Sequence, residues 1–200
     1  MARNFFLGSS LVLTALLIAI VPAPAYQRTL SSELVREAYF LGQRRDETTA
    51  RFFSPYFRSF PMPRTGPHIA LVEALTPYAY VVLNPGKGTV IDTEEQYLGQ
   101  PPNFQVRVAI YSTPTYSLPS GCENILSEFA VRVFQEQKLL MPTSRTCGHL
   151  PGTPRAHQSS GTELVLGFET AKVASAPVTI DIRSPNAQHL ETTFDLNKLK

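Results

Sequence analysis

The sequence predicts a mainly β protein, namely an antiparallel β-sandwich of immunoglobulin-like layer architecture with N-terminal α-helices packed on it. Short segments alternate apolar and polar residues with the period of a strand, and clusters of turn-forming residues separate them. Helices between the strands, which a parallel α/β fold requires, are missing from the pattern. We expect a secretory signal peptide over residues 1–25, a helical segment over 26–65 and the sandwich over 66–200.

The first segment has the three-part pattern of a secretory signal. Arg3 supplies positive charge, residues 11–21 form an uncharged apolar run, and Ala23 and Ala25 are spaced as a signal peptidase prefers. A membrane-spanning helix needs about 20 apolar residues, and Pro22 interrupts the run before that length is reached. We expect cleavage after Ala25 and export to the periplasm or the medium of a bacterium. The alternative is that the run is kept as an uncleaved anchor.

The charge of the mature chain gives no electrostatic reason to bind nucleic acid. The sequence has 18 Lys plus Arg and 16 Asp plus Glu, and only Arg3 of these lies in the signal, so cleavage leaves 17 against 16. Nucleic-acid and acidic membrane surfaces attract strongly basic proteins. We therefore expect neither a nucleic-acid partner nor a stable membrane span after cleavage.

Two cysteines in an exported chain predict one disulfide bond, between Cys122 and Cys147. The alternative is a zinc or copper site in which both thiolates act with His149 and His157. The spacing of these four residues matches no compact zinc motif, and paired cysteines cannot serve as thiolate ligands. We expect no metal and no cofactor.

The helical segment has capping residues and one apolar face. Over residues 30–47, Ser31 or Ser32 can cap a helix, and apolar residues recur at the helical period from Leu34 to Leu41. A second helical piece is expected over residues 46–53, followed by a short turn that begins at a proline.

The remaining elements are predicted as strands. Residues 104–112 alternate most clearly, and residues 184–188 form a turn cluster that predicts a hairpin. Residues 93–99 are expected to form one helical turn, and residues 141–161 a long loop rich in Pro, Gly, Ser and Thr. The predicted strands cover residues 68–75, 78–84, 104–112, 129–134, 163–168, 178–183 and 189–196.

The most unusual stretch is an aromatic–arginine segment over residues 51–64. Aromatic and Arg side chains are enriched at protein interfaces, so the segment is a candidate contact surface for a partner protein or glycan. The alternative is a core between helix and sheet, because Phe52, Tyr56 and Phe60 recur every four residues as on a packed helical face. The candidate partner-binding residues are Phe53, Tyr56, Phe57 and Arg58.

The other groups of polar residues give weaker indications of a functional site. The acidic cluster of Asp92, Glu94 and Glu95 lacks the ligand spacing of a calcium loop and is expected to be a solvated helical turn. The sequence contains no G-x-S-x-G elbow. Any of its four histidines could orient a serine in three dimensions, which leaves a hydrolase open. The histidines are His68, His149, His157 and His189.

The predicted function is therefore that of an exported, non-enzymatic β-sandwich protein that binds a protein or a cell-envelope component, with no catalytic residues. The alternative is a secreted hydrolase or metal-dependent enzyme that uses the loop region 122–161. A structural role as an envelope scaffold subunit is a third interpretation, which a long exposed edge strand would favour through strand addition.

Overall fold

Nine strands and four α-helices form the described part of the chain, which in this computed structural model comprises residues 26–84, 94–98, 103–151 and 160–200. The predicted signal peptide over 1–25 lies outside the described residues. The helices are α1 (Ser32–Arg44), α2 (Glu47–Phe53), α3 (Pro77–Leu83) and α4 (Cys122–Glu128). The strands are β1 (Phe57–Ser59), β2 (His68–Leu75), β3 (Asn103–Tyr111), β4 (Ala130–Gln135), β5 (Lys138–Leu140), β6 (Ser144–Leu150), β7 (Gly161–Glu169), β8 (Pro177–Arg183) and β9 (His189–Asp195).

The strands form two antiparallel sheets. The first has five strands in the order β1-β2-β3-β7-β6, and the second has four in the order β5-β4-β8-β9. The prediction of a mainly β protein with antiparallel sheets is confirmed. Strands β2, β3, β4, β7, β8 and β9 lie where the alternating pattern placed them.

Both sheets contribute their apolar faces to one hydrophobic core. Strand β3 shows how the sequence produces this arrangement, since every second residue from Phe104 to Ile110 is fully buried and the residues between them are half-buried. The second sheet supplies Ile180 and Phe194, which are also fully buried. Each such side chain contributes about 1.5–3 kcal/mol through removal from water, so truncation of Ile180 to alanine would remove much of that contribution.

Helices α1 and α2 are joined by a sharp bend with caps on both sides. The Ser31 hydroxyl accepts a hydrogen bond from Leu34 N at 3.3 Å, and α1 ends at Arg45 in the left-handed conformation. Asp46 then caps α2 by accepting from Thr48 N at 2.9 Å. These bonds satisfy amides that have no partner within the helices. Helix α1 packs against α3.

The prediction of a strand over residues 78–84 is wrong, because this segment belongs to helix α3. The Thr76 hydroxyl accepts from Ala79 N at 3.1 Å, and Pro77 occupies the first turn, where proline is preferred. Most of the helix is buried. A segment that is apolar on all sides has no periodicity that separates helix from strand.

The prediction of a loop over 141–161 is wrong in its first half, which contains strand β6. Four of its seven residues are exposed, so it carries no buried apolar alternation from which a strand could be recognised. The helical repeat proposed for the aromatic–arginine segment is also interrupted, since Phe57–Ser59 forms β1 at the edge of the five-stranded sheet.

The predicted hairpin between β8 and β9 is confirmed. The two strands pair along their whole length. Ser184 N donates to Gln188 O at 3.1 Å, and Ala187 adopts a positive φ of 57° that closes the turn.

Candidate binding site at the edge strand β6

Strand β6 forms one edge of the five-stranded sheet. It pairs with β7 over its full length, and within the described ranges no strand pairs with its other side. Ser144, Arg145, Thr146 and His149 are exposed. An edge strand presents a row of backbone N–H and C=O groups to which another chain can pair.

The outward backbone groups of β6 can be assigned from the hydrogen-bond alternation of antiparallel strands. Ser112 N donates to Ser160 O at 3.3 Å, so the even-numbered residues of β7 bond to β3 and the odd-numbered residues bond to β6. The carbonyl of Gly148 accordingly faces β7, where it accepts from the Thr162 hydroxyl at 3.0 Å. The residues whose N–H and C=O point away from the sheet are Arg145, Cys147 and His149.

A disulfide between Cys122 and Cys147 joins helix α4 to the middle of β6, with the two Cα atoms 5.5 Å apart. The predicted pairing is confirmed. Because both thiols are consumed, the alternative zinc or copper site loses its two thiolate ligands. Of the two histidines in that alternative, His149 is exposed on β6 and His157 lies outside the described residues.

A gap of about 170 Å³ opens between the two sheets beside β6. It lies where the edge of β6 meets the first half of β4, because β5 pairs with β4 only from Val133 onward. The lining residues are apolar except for two arginines. The lining residues are Leu126, Phe129, Ala130, Val131, Arg132, Arg145, Leu164 and Leu166.

The two arginines that line this gap differ in their hydrogen-bond and ion-pair partners. Arg132 Nη2 donates to Asp181 Oδ1 at 3.1 Å, but its buried Nε has no hydrogen-bond acceptor among the described residues. Arg145 forms no ion pair within the same part of the chain. The gap therefore combines an apolar floor with one guanidinium that is available to an anion.

A cleft of about 400 Å³ lies near the other end of β6. His149, the disulfide and the serines Ser112, Ser120 and Ser160 line it. Within the described residues His149 makes no hydrogen bond to any of these serines, so the cleft contains no assembled serine–histidine pair.

Much of the surface of the aromatic–arginine segment packs against other parts of the chain. Phe53 and Tyr56 are buried in the core, whereas Phe57 and Arg58 are half-buried. The Phe53 and Phe57 rings stack with centroids 5.4 Å apart. The Arg58 guanidinium lies 4.8 Å from the centroid of Phe194, so it bridges the edges of the two sheets. Partner contact by these four residues stays a prediction, and contact by Phe53 or Tyr56 would have to be indirect.

A polar cluster that sequence reasoning missed surrounds Asp181 on the outer face of the four-stranded sheet. Asp181 accepts from His189 Nε2 at 2.7 Å and from Arg132, and lies 3.5 Å from Arg183 Nε. Burial raises the pKa of Asp181, but the hydrogen bonds from His189 and Arg132 and the charge of Arg183 bring it below its usual range. The alternation of β8 and β9 is the signal that could have grouped these residues.

The same cluster has the donor types of a metal site, since ligand atoms of Asp181, His189 and Glu191 lie within 4.8 Å of one another. The two guanidiniums beside Asp181 already neutralise its carboxylate and repel a further cation. The arrangement therefore fits an ion-pair network better than a metal centre.

Among the described residues, the remaining predicted polar side chains do not form a site. His68 is buried, and its Nε2 lies 3.0 Å from Phe60 O. Glu95 is exposed in a short helical turn over Glu94–Tyr97, whereas Asp92 lies outside the described residues.

Within the described segments, no helix is both long and apolar enough to cross a membrane. No protein-family model matches the chain, and no curated protein has a significantly similar sequence.

Proposed function

We propose that this chain is an exported, non-enzymatic β-sandwich protein, with immunoglobulin-like layers and N-terminal helices packed on them, that binds a protein of the cell envelope. The partner contributes an extended segment that adds to the free edge of β6. One observation carries this proposal, which is that a seven-residue edge strand directs the backbone groups of Arg145, Cys147 and His149 away from its own sheet.

Strand addition obtains its affinity from main-chain hydrogen bonds and its specificity from alternate side chains. Each main-chain bond has a net value of about 0.5–1.5 kcal/mol, and three outward residues can form several of them. The disulfide at Cys147 restrains β6 against α4. A restrained strand loses less conformational entropy on binding than a mobile one, which strengthens the complex.

Export agrees with the disulfide, since such bonds persist in oxidising compartments. The mass of the exported protein tests this part of the proposal. We expect the mass of residues 26–200, less the two hydrogens lost on forming one disulfide. A full-length mass would identify the apolar run as a retained anchor instead.

Site-specific photo-crosslinking in the producing cells tests binding at β6. A photoreactive side chain at Thr146 should give a discrete adduct with one envelope protein. His149→Pro removes an outward N–H without touching the bonds to β7, so it should abolish the adduct, whereas His149→Ala keeps the N–H and should retain it. Unfolding curves of both variants exclude a folding defect as the reason.

Two results would overturn binding at this edge. An adduct at Thr146 that survives His149→Pro would mean that main-chain pairing to β6 is not used. Adducts formed only from a photoreactive residue at Phe57 would move the contact to the aromatic–arginine segment.

A secreted hydrolase or metal-dependent enzyme using residues 122–161 is the second candidate function. The cleft that His149 shares with three serines favours it. Hydrolysis of p-nitrophenyl acetate above the buffer rate, lost in His149→Ala, would support this candidate. A rate that is equal in the wild type and the variant would remove its only support.

A further inference from the structure

We infer that the segment added to β6 presents a carboxylate side chain, which Arg145 binds in the gap between the two sheets. This inference rests on the proposed strand addition and names the chemistry of the partner.

The charge of the gap is not balanced by its own lining. Arg132 and Arg145 both line it, and none of the other lining residues is acidic. Arg132 is paired with Asp181, so the excess positive charge belongs to Arg145. Arg145 is exposed at the edge of the gap, so its guanidinium is open to a carboxylate of the added segment.

The register of the sheet places the partner's side chain beside Arg145. Arg145 pairs with Leu166 of β7, whose side chain is buried, so both side chains project from the face that meets the second sheet. A strand paired to the free side of β6 places the residue opposite Arg145 on this same face, with Cβ atoms about 4.5–5.5 Å apart. A glutamate there reaches the guanidinium of Arg145. The gap of about 170 Å³ has room for one such side chain.

A second copy of this chain does not supply the carboxylate through its own β6. That strand has the sequence SRTCGHL and contains no acidic residue, so β6 paired with β6 leaves Arg145 without an anion in every register. We take a segment of another protein as the occupant, since an extended segment with a carboxylate fits both the backbone groups and the charge.

Binding of short extended peptides to the disulfide-bonded protein tests the inference. The probes are acetylated peptides of alternating threonine and valine with one glutamate at successive positions, and a matched set has glutamine instead. We expect one glutamate peptide to bind the wild type about tenfold more tightly than its glutamine counterpart, and to protect β6 amides from hydrogen exchange. Arg145→Gln should abolish this preference, and Arg145→Glu should reverse it toward lysine peptides. Arg183→Gln, which removes a guanidinium from the outer face of the other sheet, should leave it unchanged.

The outcomes separate this inference from the proposed function. Equal binding of glutamate and glutamine peptides, with β6 protected by both, would overturn the carboxylate and leave strand addition intact. Absence of binding and of β6 protection with every peptide would overturn both. Competition by sodium acetate alone would mean that Arg145 binds a small anion, and would overturn the inference. A dimer in solution that Arg145→Glu dissociates would mean that a second copy contacts Arg145, and would also overturn it.

Discussion

The phenolic hydroxyl of Tyr56 donates a hydrogen bond to the backbone carbonyl of Lys200 at 2.9 Å and accepts one from Lys200 N at 3.0 Å, across 144 positions of sequence. The Thr76 hydroxyl, which caps α3, donates to the same carbonyl. Burial raises the pKa of Tyr56 to about 12, so the phenol remains a donor at any physiological pH. Tyr56 and Thr76 together thus hold Lys200, the last residue of the sequence, between the segment before β1 and the start of α3.

We predict that Tyr56→Phe lowers the free energy of unfolding by about 1–2 kcal/mol, because it leaves the N–H and the C=O of the half-buried Lys200 without one partner each. Urea unfolding at neutral pH measures the change. Tyr80→Phe is the matched control, since the Tyr80 hydroxyl has no hydrogen bond among the described residues. Equal stability of the two variants would mean that the contact with Lys200 does not contribute to folding.

Sequence patterns located the strands that bury one face and missed those that do not. The alternation of apolar and polar residues in β3 follows directly from burial of every second side chain, so this pattern reflects the tertiary environment. Strand β6 is an exposed edge, so its sequence shows no such alternation. Helix α3 is rich in Tyr and Val, which favour strands, but packing on all sides and the cap at Thr76 override that preference.

The candidate site was only partly predictable for a related reason. The disulfide follows from having two cysteines in a chain whose sequence predicts export, and the structure adds that it restrains an edge strand. The gap beside Arg145 depends on which residues of β4, β6 and β7 lie next to one another across the sheets. Such long-range contacts leave no local periodicity in the sequence, so neither Arg145 nor the Asp181 cluster could be selected from it.

Arg58 provides a test of whether the aromatic–arginine segment acts in packing or in partner contact. Its guanidinium donates to Phe57 O at 2.8 Å and to Pro55 O at 3.2 Å, in addition to covering Phe194. We predict that Arg58→Ala lowers the free energy of unfolding by about 1–2 kcal/mol. Arg58→Lys should recover only part of this loss, because an ammonium lacks the planar guanidinium that lies over the Phe194 ring.

Thermal unfolding of the wild type and both Arg58 variants measures the effect, and adduct formation in cells measures partner binding. If Arg58→Ala left stability unchanged and abolished the adduct, the predicted contact role of Arg58 would be supported over the packing role.

The interactions of Asp181 lead us to predict that the folded protein loses stability in acid. Its pKa is lower in the folded protein than the value of about 3.9 expected in the unfolded chain. The ionised carboxylate therefore stabilises the fold fully above the unfolded pKa, and this contribution disappears as the pH falls through the folded pKa. Asp181→Asn should lower stability by about 2–3 kcal/mol at pH 7, because Arg132 and Arg183 lose their anion.

Urea unfolding between about pH 6 and pH 2 measures the pH dependence. The wild type should lose stability below about pH 4, and Asp181→Asn should lose less over the same interval. Glu47→Gln is the control, since the Glu47–Arg51 pair is more than three-quarters exposed on both sides and should change stability little at any pH. Identical pH profiles for the wild type and Asp181→Asn would show that the carboxylate is not preferentially ionised in the fold.

Removal of the disulfide is predicted to act on β6 as well as on global stability. The bond closes a loop with a sequence separation of 25, for which the loop-entropy relation gives about 3.5 kcal/mol. We expect the double variant Cys122→Ala/Cys147→Ala to be less stable by about this amount. Because the bond is the covalent link between the middle of β6 and α4, the amides of β6 should exchange faster in the variant than those of β3. An equal acceleration throughout the five-stranded sheet would instead mean that the bond stabilises the domain as a whole. It would leave β6 no more ordered than its neighbours.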